Sequence, residues 1–236
     1  MAEFIGRDRK ARRAYGFDEI ALVPGEVTVN PDEVDIRWRV DGKSFPIPFL
    51  ASAMDGVVDP AFAVKMGKMG AVAVLNLEGV QTRYENPKEI FDQITQSSSE
   101  KATELVQKIY LEPIKEELIA KRIQEIKKEK VPAVVSTIPQ HAEKFGKIAQ
   151  EAGCDIFVVQ STVTTVRHIA KAYQVVDFKK FCKSIKIPVI LGNCVTYKVA
   201  LELMETGCAG ILVGIGPGSA CTTRGVLGLG VPQVTA

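Results

Sequence analysis

Short apolar runs alternate with amphipathic segments from residue 48 onward. Each run is followed by Gly, Ser, Asn or Asp, a pattern typical of parallel strands that are buried on both faces. The predicted strands are "PFLASAMD", "AVAVLNLEG", "VPAVVSTIP", "CDIFVVQST", "IPVILGNCVT" and "AGILVGIGPGS". The predicted helices between them include "PAFAVKMGKMG", "QHAEKFGKIAQEAG" and "TYKVALELMETG", and the last two close on a glycine suited to a helix C-terminus.

Six strand–helix units in series predict an α/β fold with a parallel sheet. The strands recur about every 25–35 residues, as in a TIM (β/α)8 barrel, where eight units occupy roughly 250 residues. We therefore predict a TIM barrel that is truncated after the sixth strand and the cysteine loop that follows it. An open six-stranded, doubly wound sheet is the alternative.

Two segments depart from this alternation. Residues 1–47 are predicted to form an N-terminal extension, with a hairpin built from "EIALVPG" and "IRWRV" packing on one end of the domain, and residues 48–236 form the partial barrel. Residues 86–130 are strongly charged and helical, with a break at Pro113. They are predicted to be a solvated two-helix connection between the second and third strands of the barrel.

Composition narrows the classes of function. The 30 basic and 28 acidic residues leave a net charge of +2, which does not indicate a nucleic-acid or membrane surface. No apolar run approaches the roughly 20 residues of a membrane helix, and no secretory signal is visible, so we expect a cytoplasmic protein. The five cysteines form no CxxC pair, which fits a reducing compartment. Four are predicted to be small core residues, namely Cys154, Cys182, Cys194 and Cys208.

Candidate chemistry lies where the predicted strands end, because active sites of parallel α/β folds lie at the carboxyl ends of the strands. The glycines of "GIGPGS" allow the backbone to approach a ligand, as a nest for an anion or a carbonyl cage for a cation, or they form a plain tight turn. Pro217 interrupts the spacing of a dinucleotide fingerprint. Polar residues follow the first, fourth and fifth predicted strands: Ser52, Met54 and Asp55, then Gln160, Ser161 and Thr162, then Asn193.

Cys221 is the cysteine that lies in a loop of turn-formers and hydroxyl side chains. Loop N–H groups and Arg224 can lower the pKa of its thiol and make it a nucleophile. The chain has two histidines, His141 and His168, and neither forms a recognisable pair with the cysteine in the sequence. This favours addition of the thiol to an electrophilic carbon over amide cleavage.

The stretch "GIGPGSACTTR" followed by "GVLGLGVPQ" resembles the catalytic-cysteine loop of the IMP dehydrogenase/GMP reductase family. "FDEIALVPG", "ASAMD" and "GNCVT" match the family in the same order, so the resemblance runs from Arg12 to Ala236. Residues 86–130 are too short to contain the regulatory CBS pair of the family, which indicates its CBS-less branch.

The resemblance implies a reaction and a set of site residues. Cys221 would attack C2 of IMP, hydride would pass to NAD, and water would hydrolyse the resulting thioimidate to XMP in a homotetramer. The implied catalytic residues are Cys221 and Thr223, and the implied IMP contacts are Ser219, Ser52, Met54 and Asn193. The implied NAD contacts are Gln160, Ser161, Thr162, Gly214, Ile215 and Gly216, and backbone carbonyls of Gly216, Gly218 and Cys221 would bind K⁺.

Three positions depart from the family pattern. Gln160 stands where the family usually has an aspartate, and Leu212 stands where it usually has Lys or Arg, so NAD handling is expected to differ. Leu77 stands at the position of the reductase lysine, which favours the dehydrogenase over an NADPH-dependent GMP reductase. Gln160 and Leu212 leave open a non-catalytic purine-nucleotide-binding protein as a further alternative. The Arg-Tyr flap that activates water would lie beyond residue 236, so these residues by themselves are expected to be inactive.

Overall fold

Six parallel strands form the central sheet of the computed structural model, which describes residues 3–4, 7 and 9–236. Two antiparallel pairs precede this sheet: β1 (Glu3–Phe4) with β2 (Lys10–Ala11), and β3 (Trp38–Val40) with β4 (Lys43–Phe45). The sheet itself contains β5 (Leu50–Ala51), β6 (Val72–Asn76), β7 (Val134–Thr137), β8 (Ile156–Gln160), β9 (Val189–Cys194) and β10 (Gly210–Val213). Each strand pairs with the next one along the chain, the arrangement of six strands of a (β/α)8 barrel. The six predicted strands are confirmed.

Helices separate the strands. They are α1 (Pro60–Lys68), α2 (Val80–Arg83), α3 (Pro87–Gln96), α4 (Ser99–Leu111), α5 (Glu116–Lys128), α6 (Ala142–Glu151), α7 (Phe178–Ser184), α8 (Tyr197–Met204) and α9 (Thr223–Leu227). Gly153 and Gly207 follow α6 and α8 with φ of 88° and 85°, in the left-handed region that glycine adopts without a steric cost.

The side chains of each strand alternate between two apolar layers. Val74, Val134 and Val158 point to the concave side of the sheet and pack with Val40 and Phe45 of the β3–β4 hairpin. Leu75, Val135 and Phe157 are their neighbours in sequence and lie in the layer between the sheet and the helices. The inner strands β6 to β9 are therefore buried on both faces, as their continuous apolar runs indicate, whereas the edge strands β5 and β10 are partly exposed.

The N-terminal hairpin covers the amino-terminal end of the sheet. Asp41 and Gly42 form its turn with φ of 46° and 78°, the positive values of a tight hairpin turn. Lys43 forms an ion pair of 3.2 Å with Asp155, which directly precedes β8. The prediction that "EIALVPG" is strand-like is wrong: it has no partner strand in the described chain, and Leu22 and Val23 are 94% and 90% exposed.

The charged connection contains α3, α4 and α5 rather than two helices. Pro113 separates α4 from α5, as predicted, because proline cannot continue the hydrogen bonding of a helix. α3 was not expected, since only Ile90, Phe91 and Ile94 mark its apolar side. α5 packs into the core through Ile119, Ile123 and Ile126, so this connection is more than a solvated surface.

Candidate active site

The predicted site residues follow the carboxyl ends of β5, β8, β9 and β10. Ser52 and Met54 come directly after β5, Gln160 ends β8, and Asn193 is the penultimate residue of β9. The cysteine loop begins directly after β10. Parallel packing places these ends at the same edge of the sheet. Among the described residues, no hydrogen bond joins Ser52 or Met54 to the cysteine loop.

Cys221 is exposed at the tip of its loop. Its thiol donates a hydrogen bond of 3.2 Å to Oγ1 of Thr223, and its backbone N–H donates to the carbonyl of Gly218 at 3.2 Å. Hydrogen bonds from the side chain and backbone of Thr223, helped by the charge of Arg224, lower the pKa of the Cys221 thiol. A lower pKa increases the thiolate fraction at neutral pH, which is the nucleophilic form.

In the other four cysteines the thiol pKa is raised rather than lowered. Cys154 and Cys194 are buried, and Cys182 and Cys208 are half-buried, in agreement with their predicted core role. Burial raises the pKa of Cys154 to about 12 and that of Cys182 to about 11. Exposure and pKa therefore both single out Cys221 as the reactive thiol among the five.

The first part of the cysteine loop is covered by the C-terminal segment. Gly214, Ile215 and Gly216 are buried. The backbone N–H of Val231 donates to the carbonyl of Ile215 at 2.9 Å, and Nε2 of Gln233 donates to the carbonyl of Val213 at 3.1 Å. The surface open to a ligand on this loop accordingly begins at Pro217.

Hydrogen bonds join the loops after β8, β9 and β10. The backbone N–H of Asn193 donates to the carbonyl of Ser161 at 3.1 Å, and Nδ2 of Asn193 donates to the carbonyl of Gly214 at 3.0 Å. Thr164 donates its hydroxyl to the carbonyl of Gly192 at 2.5 Å. The structure therefore brings together three predicted contacts, Ser161, Asn193 and Gly214.

A small cleft of about 70 Å³ opens beside Ser161. His168 and Tyr173 line it and form a hydrogen bond of 2.8 Å between Nε2 and the phenol oxygen. Pro139 and Gln140 of the loop after β7 line another part of it. Its lining combines hydroxyl, aromatic and amide groups.

The cysteine loop offers neutral oxygen ligands. The carbonyls of Gly216, Gly218 and Cys221 lie within six consecutive residues, and that of Gly218 accepts a hydrogen bond from the N–H of Cys221. Carbonyl oxygens are the ligands that K⁺ takes in selective protein sites. No group of three His, Cys, Asp or Glu side chains able to hold a metal ion occurs in the part of the chain that the structure describes.

A cluster that the sequence analysis missed surrounds Glu78, after β6. Nδ1 of His141 lies 3.0 Å from both carboxylate oxygens of Glu78, and the backbone N–H of Ile138 donates to it at 3.2 Å. The hydroxyl of Thr137 donates to the same carboxylate. Glu78 and His141 are 63 residues apart, so no local motif marks this pair.

A second missed cluster surrounds Asp55, directly after Met54. The carboxylate of Asp55 accepts hydrogen bonds from Nδ2 of Asn76 at 3.1 Å, from the backbone N–H of Val80 at 2.6 Å and from the phenol of Tyr110 at 2.7 Å. Asp55 is visible in the sequence as a polar residue at a strand end, but its partners are not.

Comparison with known proteins decides the family. A model of the IMP dehydrogenase / GMP reductase domain matches residues 14–236. The chain belongs to the IMP dehydrogenase/GMP reductase family. A crystal structure of an IMP dehydrogenase/GMP reductase-like protein from Corynebacterium glutamicum has a TM-score of 0.89 and 31% identity, and the match covers 100% of this chain and 62% of that chain.

Curated relatives of the IMP dehydrogenase/GMP reductase family agree. A protein of Mycolicibacterium smegmatis named an uncharacterized oxidoreductase is 32% identical over 98% of this chain and 64% of its own length. An inosine-5'-monophosphate dehydrogenase of Borreliella burgdorferi is 30% identical over 95% of this chain and 59% of its own length. The chain thus spans less than two thirds of these relatives. None of the helices in its described part has both the length and the apolar character needed to cross a bilayer.

Proposed function

We propose that this chain carries the nucleophile and the nucleotide-binding loops of an enzyme that oxidises IMP to XMP with NAD. The observation that carries the proposal is the position of Cys221, an exposed thiol of lowered pKa on the loop after β10. Family membership supports the reaction class, and the arrangement of loops at one edge of the sheet supports the substrate.

The chemical step assigned to Cys221 is addition to C2 of the purine. The thiolate would form a C–S bond to C2, and loss of the C2 hydride with its electron pair to a bound hydride acceptor would leave a thioimidate on the sulfur. Water then replaces the sulfur at C2, giving XMP and the free thiol with loss of one proton. Thr223 holds the thiolate through its hydroxyl and N–H before the attack.

The remaining loops are proposed to bind the nucleotide. Ser219 and Ser52 are proposed to supply hydroxyl donors, and Met54, which is 57% exposed, an apolar contact. Asn193 orients the loop through its hydrogen bond to Gly214. Residues 160–162 are proposed to contact NAD, which supplies the hydride acceptor when bound. For residues 214–216 to contact it as well, the covering segment of Val231 and Gln233 must move. The carbonyls of residues 216, 218 and 221 are proposed to hold K⁺, with Gln160 and Leu212 altering cofactor preference.

The environment of Leu77 and Glu78 supports the dehydrogenase over the reductase. Leu77 stands at the position of the reductase lysine, and it is fully buried and apolar. The carboxylate of Glu78 is already held by Thr137 and His141. Neither side chain supplies the ammonium group that would assist loss of ammonia from GMP.

We further propose a division into an N-terminal extension, residues 1–47, and a CBS-less barrel that begins at residue 48, in a cytoplasmic homotetramer. Light scattering on the purified protein measures the assembly, and a stable monomer at micromolar concentration contradicts the tetramer.

The experiment measures NADH absorbance when the full-length natural protein is mixed with IMP, NAD and K⁺. Cys221→Ala is expected to abolish turnover while retaining nucleotide binding, because the thiol makes the covalent bond. Consumption of NADPH with GMP, and no signal with IMP, would assign the protein as a reductase. Binding of IMP with no turnover under either condition would assign it as a nucleotide-binding protein without redox activity.

A further inference from the structure

Tyr110 joins the charged connection to the proposed nucleotide loop. It belongs to α4, and its phenol donates a hydrogen bond of 2.7 Å to Oδ2 of Asp55, which lies 55 residues earlier. Asp55 directly follows Met54 and lies three residues after Ser52. A helix outside the strand–helix repeat therefore contacts the loop that is proposed to bind IMP.

The loop after β5 is a compact turn. The backbone N–H of Met54 donates to the carbonyl of Ser52 at 2.8 Å. The carbonyl of Met54 accepts from the N–H groups of Val57 and Val58, each at 2.9 Å. The shape of this turn determines where the side chains of Ser52 and Met54 point.

The carboxylate of Asp55 is the anchor of this turn. It accepts hydrogen bonds from the side chain of Asn76 and the backbone of Val80, as well as from Tyr110. It also lies so close to Gly79 that a Cβ there would be 1.8 Å from Oδ1 of Asp55. Asp55 therefore sits against the end of β6 and the start of α2, with Tyr110 as its third donor.

Tyr110 is itself held in place. The guanidinium of Arg83 lies 5.5 Å from the centroid of its ring and donates to the carbonyls of Glu78 and Glu112. Burial, together with the neighbouring Asp55, raises the pKa of the Tyr110 phenol. The hydroxyl is therefore protonated at physiological pH and acts as a donor to the carboxylate.

We propose that Tyr110 is a positioning residue for the purine-nucleotide site. Its hydroxyl acts through Asp55 and keeps the turn of Ser52 and Met54 in the conformation that receives the nucleotide. This inference rests on the proposed function, since it assigns a support to the same site. It gives the charged connection a role in binding that its sequence does not indicate.

The test compares two tyrosine variants that both loosen α4. Tyr110→Phe removes the hydrogen bond to Asp55. Tyr84→Phe removes a hydrogen bond of 3.0 Å to the carbonyl of Ile109, the residue next to Tyr110, and does not touch Asp55. Calorimetry on the full-length protein measures the Kd of IMP, and amide hydrogen exchange reports on Val57 and Val58.

Tyr110→Phe is expected to weaken IMP binding roughly tenfold, the effect of one hydrogen bond to a charged acceptor, and to speed exchange at Val57 and Val58. Tyr84→Phe is expected to leave both quantities at the wild-type value. Unchanged binding in Tyr110→Phe, or an equal loss in both variants, overturns the role of Tyr110 while the proposed function stands. A wild-type protein that binds none of IMP, XMP and GMP overturns the proposed function and this role together.

Discussion

The thiol of Cys221 lies 3.2 Å from Oγ1 of Thr223, and both groups lie outside the packed core. Hydrogen bonds from Thr223 lower the pKa of this thiol, with a smaller contribution from Arg224. The alkylation rate of Cys221 is therefore expected to rise with pH through a midpoint below that of a free cysteine. Stopped-flow labelling with iodoacetamide measures this profile.

Thr223→Val is expected to shift the midpoint of Cys221 alkylation to higher pH. With the hydroxyl donor removed, labelling at pH 7 should slow by about threefold. Thr223→Ser keeps the hydroxyl and should preserve the wild-type profile. If Val and Ser at this position gave the same profile, the backbone N–H and Arg224 would account for the lowered pKa alone.

Asn193→Ala is expected to loosen the contact between the loops after β9 and β10. The substitution removes the donor to the buried carbonyl of Gly214, and such a loss costs about 1 kcal/mol of the free energy of unfolding. Urea denaturation measures the cost, and exchange of the Gly214 N–H, which donates to Cys194, reports the loosening. Asn86→Ala, at an exposed helix start, is the control, and equal effects would contradict a specific role for Asn193.

Gly79→Ala is expected to displace the carboxylate of Asp55. A Cβ at residue 79 would lie 1.8 Å from Oδ1 and 2.2 Å from Oδ2 of Asp55, so the side chain must move and lose its donors. Forcing extra atoms into a filled space destabilises the protein by roughly 2 kcal/mol. Gly56→Ala is the matched control, because a Cβ there meets nothing within 4 Å. A thermal melt of equal midpoint for the two variants would contradict this prediction.

Asp155→Asn is expected to lower stability in a pH-dependent way. Burial raises the pKa of Asp155, but hydrogen bonds from Lys127, the N–H of Ala133 and Lys43 lower it by a larger amount. The net effect is a pKa below the ordinary value of an aspartate. The folded-state pKa is below the unfolded one, so the carboxylate contributes stability above the unfolded-state pKa and loses it as pH falls through the folded-state pKa.

At pH 7 the Asp155→Asn variant should be less stable than the wild type by about 2 kcal/mol. The difference should shrink below about pH 4, where the wild-type carboxylate takes up a proton. Urea titrations at pH 7 and pH 3 measure both values. Asp32→Asn, at an exposed position, should show no such dependence, and a gap of constant size for Asp155→Asn would show that ionisation is not its cause.

The strands of the sheet could be predicted because the residues that determine each strand are neighbours in the sequence. Each apolar run is short and closed by a turn-former, as in "VILGN" of β9. Pro113, Gly153 and Gly207 mark helix ends by their own backbone restrictions. The loop of Cys221 was recognisable since its motif is contiguous in the sequence.

The rest could not be predicted because it depends on distant partners. The apolar residues of "EIALVPG" suggest a strand, but a strand requires a neighbour, and Leu22 and Val23 stay exposed. Tyr110 meets Asp55, and His141 meets Glu78, only after the sheet has formed. One chain without related sequences contains no signal for such pairs.

The β3–β4 hairpin and the loop of Cys221 lie at opposite ends of the sheet. Val40 and Phe45 pack against the concave side of the sheet, at the end opposite to the loop of Cys221. Substitutions at the tip of the hairpin, such as at Asp41, are then expected to change the free energy of unfolding without changing the reaction at Cys221.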